Sequence, residues 1–410
     1  MLISAKYYGS INFSKYRHGI YSAPVIFRTI TIRGFLIIPL VLVLLSVRGY
    51  AQKQHSFHAP NLMIETRANY GILIAHHLEM EIYNRHLSSF EICIARSTYG
   101  KQQWESMYNY PVTGLAYWNA WLGDPQTLGH AHALMPYIDF PIIKNETTEF
   151  NFRLAAGVGY LTKHFDRLEN YKYIAIGSHL NAAINLMAEY RWKPINHLQV
   201  FGGIQLMHFS NGSTKTPNFG LNIPSLSGGV AFRINKENPY IRRAIRPSLT
   251  MFEFDGRKFL EVRVNGSFGF KDIGEALSER YYVMAGTVSV LKSVSYKGKA
   301  GLSLDLSYDG SDGRYVGIKG VDYKNNFQLI KPGISLMYEV VLSRMSFPLA
   351  LGFYTGGKYK SEGMSYYKLG IQYVIIKNMF ANITLKTHYA RADYVALGIG
   401  YRFKVKQYFL

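Results

Sequence analysis

The sequence predicts an all-β protein: an antiparallel transmembrane β-barrel of the outer membrane, with about 16 strands (roughly 12–18) behind an N-terminal signal peptide. Three observations lead there. Segments of about ten residues with alternating apolar and polar character recur from residue 63 to the end of the chain. Only one long apolar stretch is present, near the N terminus, so nothing after it suits a membrane helix. Aromatic residues make up 15% of the chain, with 33 Tyr and 24 Phe, although hydrophobic content is an ordinary 48%. Many short strands with aromatic ends give that profile.

The apolar stretch is residues 34–47, preceded by Arg28 and Arg33 and followed by Gly49, Tyr50 and Ala51. It has the length of a signal-peptide core and falls short of the roughly 20 residues of a spanning helix. Export with cleavage after Ala51 is the expectation, which makes residues 1–51 leader.

Behind the leader, the first eight candidate strands are 63–75, 89–98, 110–122, 130–143, 148–163, 178–191, 197–210 and 223–234. Long connections follow the third, fifth and seventh, at 123–129, 164–177 and 211–222, whereas 144–147 and 192–196 are short. Barrels of this class carry long loops outside and short turns in the periplasm, so the seventh strand ends at the outer rim. The connection 99–109 breaks the rule by being long where a short turn belongs.

Nine further candidates follow: 245–254, 258–270, 281–294, 299–309, 327–342, 347–356, 365–377, 380–388 and 394–404. Single-chain bacterial barrels have even strand numbers. The weakest of the seventeen is 245–254, whose flanks are crowded with charge. No linker or low-complexity run divides the chain. The domain reading is therefore 52–234 as the motif-bearing strands and 235–410 as additional strands of the same barrel.

The leader holds six Lys or Arg and no Asp or Glu, which leaves 40 basic and 26 acidic residues in the mature chain, a net +14. An exported chain without a concentrated basic run is a poor nucleic-acid binder; anionic lipid phosphate is the better match. The single Cys93 excludes an intramolecular disulfide and a multi-cysteine metal site.

The stretch that carries chemistry is His208-Phe209-Ser210-Asn211-Gly212, at the end of the alternating run Val200, Gly202, Ile204, Leu206. Residues i and i+2 share a strand face, so His208 and Ser210 continue an apolar wall. A base and a nucleophile on such a wall suit a lipid ester. Ester hydrolysis also needs a group that orients the base and donors for the oxyanion. Asn222 is the candidate orienter, and the backbone N–H groups of Asn211 and Gly212 are the nearest donors. No cofactor or metal is required by this scheme.

His208, Ser210, Asn211, Lys215, Pro217, Asn218 and Gly220 together resemble the signature of the outer-membrane lipid A 3-O-deacylases. In that family the histidine and serine are catalytic, and a glutamate twelve residues past the serine completes the triad; position 222 is asparagine here. The resemblance implies that Asn211 belongs to the oxyanion region, and that Asn218 and Gly220 form the turn returning position 222 to the histidine. Gly177 to Asn181 and Leu385 to Tyr394 are similar to segments of an acyloxyacyl-hydrolase-like branch found in Bacteroidota. The implied function is removal of an ester-linked acyl chain from lipid A in the outer membrane of a Gram-negative bacterium. The small deacylases end about one strand after the motif, so residues past 234 exceed their barrel.

Outer-membrane phospholipase A also has His-x-Ser-Asn-Gly with asparagine twelve residues after the serine, and is the alternative; its arginine-rich surroundings are missing between Ser213 and Asn222. A porin or structural barrel is the non-enzymatic alternative.

His179, Asn181 and Lys215 are candidates for substrate binding, with rim hydrogen bonding as the plainer role. His76 and His77 lack metal-ligand spacing, and the order of Asp309 and Asp312 does not match an EF-hand loop. Trp104, Trp118 and Trp121 read as interfacial belt residues. His388 and Asp393 read as rim contacts of the last outer turn.

Overall fold

The computed structural model describes residues 62–75, 78–83, 85–100, 102–234, 259–274, 280–320, 322–360, 363–389 and 391–406. The leader, His76, His77 and candidate strand 245–254 lie outside the described residues. Sixteen strands occur among those described, each within a few residues of a candidate.

The sheet closes twice. β1 (Leu62–Leu73), β2 (Arg85–Ser97), β3 (Val112–Trp121), β4 (His130–Lys144), β5 (Thr148–Leu161), β6 (Leu180–Ile195), β7 (Leu198–Ser210) and β8 (Leu221–Arg233) pair in sequence order. β8 then returns to β1, from Met63 opposite Arg233 to Gly71 opposite Ser225. A second closed barrel follows: β9 (Phe259–Asp272), β10 (Arg280–Ser293), β11 (Gly298–Asp309), β12 (Lys331–Leu342), β13 (Met345–Tyr354), β14 (Ser365–Ile376), β15 (Met379–His388) and β16 (Arg391–Lys406). Here β16 pairs with β9, with Val395 opposite Phe270. The expectation that 235–410 extends the first barrel is thereby corrected. Alternation specifies which face of a strand is apolar, not which strand closes the ring.

Both barrels are inverted relative to a water-soluble core. Leu302, Leu304 and Leu306 are 56–62% exposed, while Ser303, Asp305 and Ser307 between them are buried. Likewise Ile64 points out, and Glu65 and Arg67 are buried. Apolar-out and polar-in is the pattern a hydrocarbon solvent selects, because backbone groups are satisfied in the closed ladder and charge is kept from lipid.

An eight-stranded interior is narrow enough for side chains to fill. In the first barrel Glu65 accepts from Arg67 at 2.8 Å, Arg153 at 2.9 Å and Arg191 at 2.7 Å. Glu91 pairs with Arg153 at 2.8 Å, and Asp139 with Arg191 at 3.3 Å. An apolar layer that includes Trp118, Met207, Phe209, Leu221 and Ile223 is packed in the same interior. Trp118 is fully buried in it, which corrects the belt reading; Trp121, three residues on and so on the opposite face, is 52% exposed. In the second barrel Lys271 bridges Asp309 and Asp393 at 2.7 and 2.6 Å, and Lys331 holds Asp312. His388 Nε2 lies 3.4 Å from Asp393 and both side chains are buried, so this pair beside the β15–β16 turn points into the barrel.

The barrels meet at both ends. At the long-loop end Ser213 Oγ donates to the Ala392 carbonyl at 2.7 Å. At the other end the long connection 98–111, which carries a short helix Gln103–Met107, sends the Tyr108 hydroxyl to the Val341 carbonyl at 3.0 Å. That contact gives this connection a role that a tight turn could not fill.

Candidate active site

Two strands and two loops build the site. Phe209 is buried against Trp118, with ring centroids 5.7 Å apart, and Met207 is buried beside it. Because alternate side chains face opposite ways, this anchoring turns His208 and Ser210 outward, in line with exposed Val200, Ile204 and Leu206. The strand ends at Ser210, at the rim with the long loops.

β8 brings Asn222 directly opposite His208. His208 Nδ1 lies 2.6 Å from Asn222 Oδ1. An amide oxygen accepts only, so Nδ1 carries the proton and Nε2 is left as the acceptor, the tautomer a general base needs. Asn222 is itself held through its backbone, whose carbonyl accepts from Ile74 at 3.0 Å.

Between the strands, residues 211–220 fold back over Ser210. Asn218 Nδ2 donates to Ser210 Oγ at 3.1 Å, and the Gly212 N–H does so at 3.2 Å. The Asn211 N–H is turned to Asn218 Oδ1 at 2.9 Å, so the donors converging on the Ser210 oxygen are Gly212 and Asn218. Gly212 has φ of +62°, and a Cβ there would sit 2.3 Å from Val395 Cγ2. Gly220 has φ of +84°, and a Cβ there would sit 3.0 Å from His208 Cε1. Only glycine meets both demands without strain.

The loop between β5 and β6 braces this turn. The Ala175 carbonyl accepts from Phe219 and Gly220 at 2.9 and 3.1 Å, and the Gly177 N–H donates to the Pro217 carbonyl at 2.7 Å. Asn211 Nδ2 donates to Ser178 Oγ at 2.9 Å and to the Lys215 carbonyl at 2.7 Å. Asn181 is buried, and its amide donates to the Ser178 and His179 carbonyls at 2.9 and 3.1 Å, which places it as a brace of this loop.

His179 stacks on Tyr160 with centroids 5.5 Å apart and meets His164 edge-on at 4.2 Å. Each ring donates from Nδ1 to a backbone carbonyl, His179 to Leu161 at 2.7 Å and His164 to Phe165 at 2.6 Å. Burial holds the His164 imidazole below its ordinary value, and His179 and the Lys215 charge push the same way. Sequence reading missed the braces at Ala175 and Ser178 and the contact of Gly212 with Val395. No local pattern signals partners so far along the chain.

Residues 92–231, which contain the whole His208 to Asn222 segment, match the family described as lipid A 3-O-deacylase (PagL). Residues 260–405, the second barrel, match the family described as acyloxyacyl hydrolase, C-terminal domain. No curated protein matches the chain. Among solved structures, Neisserial surface protein A is similar at 7% identity and a TM-score of 0.31, covering 42% of this chain and 97% of its own. The outer-membrane enzyme PagL is similar at 15% identity and a TM-score of 0.28, covering 40% and 97%. A Rhodopseudomonas blastica porin mutant covers 83% and 100% at 7% identity and a TM-score of 0.17.

Proposed function

We propose that this chain, whose residues 92–231 match the lipid A 3-O-deacylase family and whose residues 260–405 match the acyloxyacyl hydrolase C-terminal domain, removes an ester-linked acyl chain from lipid A by a serine–histidine mechanism. The observation that carries the reading is the outward-facing pair His208 and Ser210, with Asn222 on His208 Nδ1 and two donors on Ser210 Oγ.

His208 Nε2 takes the hydroxyl proton as Ser210 Oγ attacks the acyl carbonyl carbon. The Gly212 N–H and Asn218 Nδ2, already at the serine oxygen, are positioned to donate to the developing oxyanion. Collapse of the tetrahedral intermediate breaks the bond to the sugar oxygen, which receives the proton from His208. Water then gives its proton to His208 and its oxygen to the acyl carbon, and the proton returns to Ser210 as the fatty acid leaves. Asn222 holds the imidazole in the required tautomer; being neutral, it stabilises the imidazolium less than a carboxylate. The outward face lets an acyl chain stay in hydrocarbon while its ester reaches Ser210. Lys215 beside the loop between β5 and β6 is available to a lipid phosphate.

Lipid A mass spectra with and without the chain test this reading in an outer-membrane host. Loss of one acyl mass is expected with the native chain, and no loss with Ser210→Ala folded into an intact barrel. Full deacylation by Ser210→Ala would overturn the mechanism. A phospholipase reading is favoured by one observation, the neutral Asn222 in hydrogen bond with His208; fatty acid released from phospholipid but not from lipid A would establish it.

A further inference from the structure

We propose that the second barrel is part of the catalytic apparatus, with Asp272 at the loop end of β9 as a positioning residue for the loop that carries the oxyanion donors. This rests on the esterase reading above. The catalytic loop has two consecutive residues in the left-handed region, Gly212 at φ +62° and Ser213 at φ +65°. The first is glycine; the second is not, and a serine held there must be fixed by its surroundings.

What fixes Ser213 comes from the other barrel. Its carbonyl accepts the Asp272 N–H at 2.8 Å, and its hydroxyl donates to the Ala392 carbonyl at 2.7 Å. Asp272 Oδ2 accepts the Thr216 N–H at 3.3 Å, while Oδ1 accepts from Gly274 at 2.8 Å. Asp272 is buried, 3% exposed, and its carboxylate is braced between the end of β9 and the 211–220 loop. Val395 packs directly against Gly212.

The consequence reaches Ser210 in two steps. Ser213 and Thr216 flank Thr214 and Lys215, whose carbonyl accepts Asn211 Nδ2 at 2.7 Å. Gly212, whose N–H points at Ser210 Oγ, is trapped between Ser210 and Ser213 in a left-handed turn. The direction of that N–H is therefore set by contacts that β9 and β16 supply. A donor displaced by about 1 Å costs on the order of a hundredfold in rate, so this clamp acts on turnover rather than on lipid binding.

The test uses the full chain, purified and reconstituted with lipid A in bilayers. Asp272→Ala should lower kcat by roughly tenfold to a hundredfold with KM within about threefold. Asp272→Asn keeps the volume and one acceptor, and its kcat should fall between the two; it also serves if the alanine variant does not fold. Asp305→Asn, inside the second barrel and away from the rim, controls for general damage and should leave kcat unchanged. Hydrogen exchange of residues 211–219 should quicken in Asp272→Ala while the β1–β8 strands hold. A kcat for both Asp272 variants within about twofold of native would overturn the proposal, as would an equal fall in Asp305→Asn. Should the native chain release no fatty acid from any lipid, the esterase reading fails and exchange alone judges the clamp. Faster exchange at 211–219 then sustains it, and unchanged exchange overturns it.

Discussion

His208 Nδ1 and Asn222 Oδ1 lie 2.6 Å apart across a register pair of neighbouring strands. The position of the His208 partner is thus set by the β7–β8 ladder, and its chemistry by one side chain. Asn222→Ala should lower kcat by about a hundredfold or more, since the imidazole loses its tautomer lock. Asn222→Glu should keep activity and move the acid limb of kcat/KM to higher pH, because a carboxylate favours the protonated imidazole. A pH–rate profile of the three forms decides; an unmoved limb with Glu would argue that position 222 does not touch the base.

Asn218 is expected to act in the transition state. Asn218→Ala should cost about 10²–10³ in kcat with little change in KM. Asn218→Asp replaces the donor at Ser210 Oγ by an acceptor and should be no better than alanine. Burst and steady-state kinetics of fatty-acid release give the split.

Gly220→Ala should impair the site through the backbone. Its Cβ would meet His208 Cε1 at 3.0 Å and the Phe209 carbonyl at 3.1 Å, at a φ of +84°. A cost of roughly 1–3 kcal/mol and loss of most turnover are expected, read by urea unfolding beside the activity assay.

The loop between β5 and β6 should loosen in acid. Burial holds His164 below its ordinary pKa, so the folded loop binds fewer protons than the unfolded one. The stability from keeping it neutral is intact above the unfolded value, about 6.5, and is lost as pH falls through the lower folded value. Protection against hydrogen exchange at 162–179, taken relative to the intrinsic exchange rate at each pH, should therefore fall below about pH 6.5, and His164→Gln should flatten the response.

Glu65→Ala should destabilise the first barrel, because Arg67, Arg153 and Arg191 all lose a buried partner. Removing one member of a buried ion pair costs roughly 3–5 kcal/mol. Three of the four tryptophans, Trp118, Trp121 and Trp192, lie on strands of the first barrel and the fourth, Trp104, in its β2–β3 connection, and none lies in the second barrel, so indole fluorescence reports chiefly the first. The Trp transition should shift in urea while a tyrosine probe on the second barrel, such as nitration of Tyr367, does not.

Much of this molecule was legible in the chain. The period-two pattern located all sixteen described strands, because lipid outside and charge inside impose alternation on each strand separately. The pair His208 and Ser210 was readable for the same reason, and so was their shared face with Ile204 and Leu206. Asn222 was readable as a spacing, twelve residues past the serine. Trp118 was not, since a tryptophan on a strand carries no mark of which face it takes.

Closure and bracing were decided only in three dimensions. β8 and β16 have similar alternation, yet one turns back to β1 and the other to β9. Ring closure is a choice among distant backbone partners, and every strand edge offers the same N–H and C=O groups. The clamp has the same character: Ser213 and Ala392 stand 179 residues apart, and their contact exists because two closed barrels bring their loop ends together. The sequence by itself determined where the strands run and which stretch, His208 to Asn222, brings a histidine, a serine and an asparagine together. The tertiary structure alone decided that there are two barrels and that the second one touches the 211–220 loop of the first.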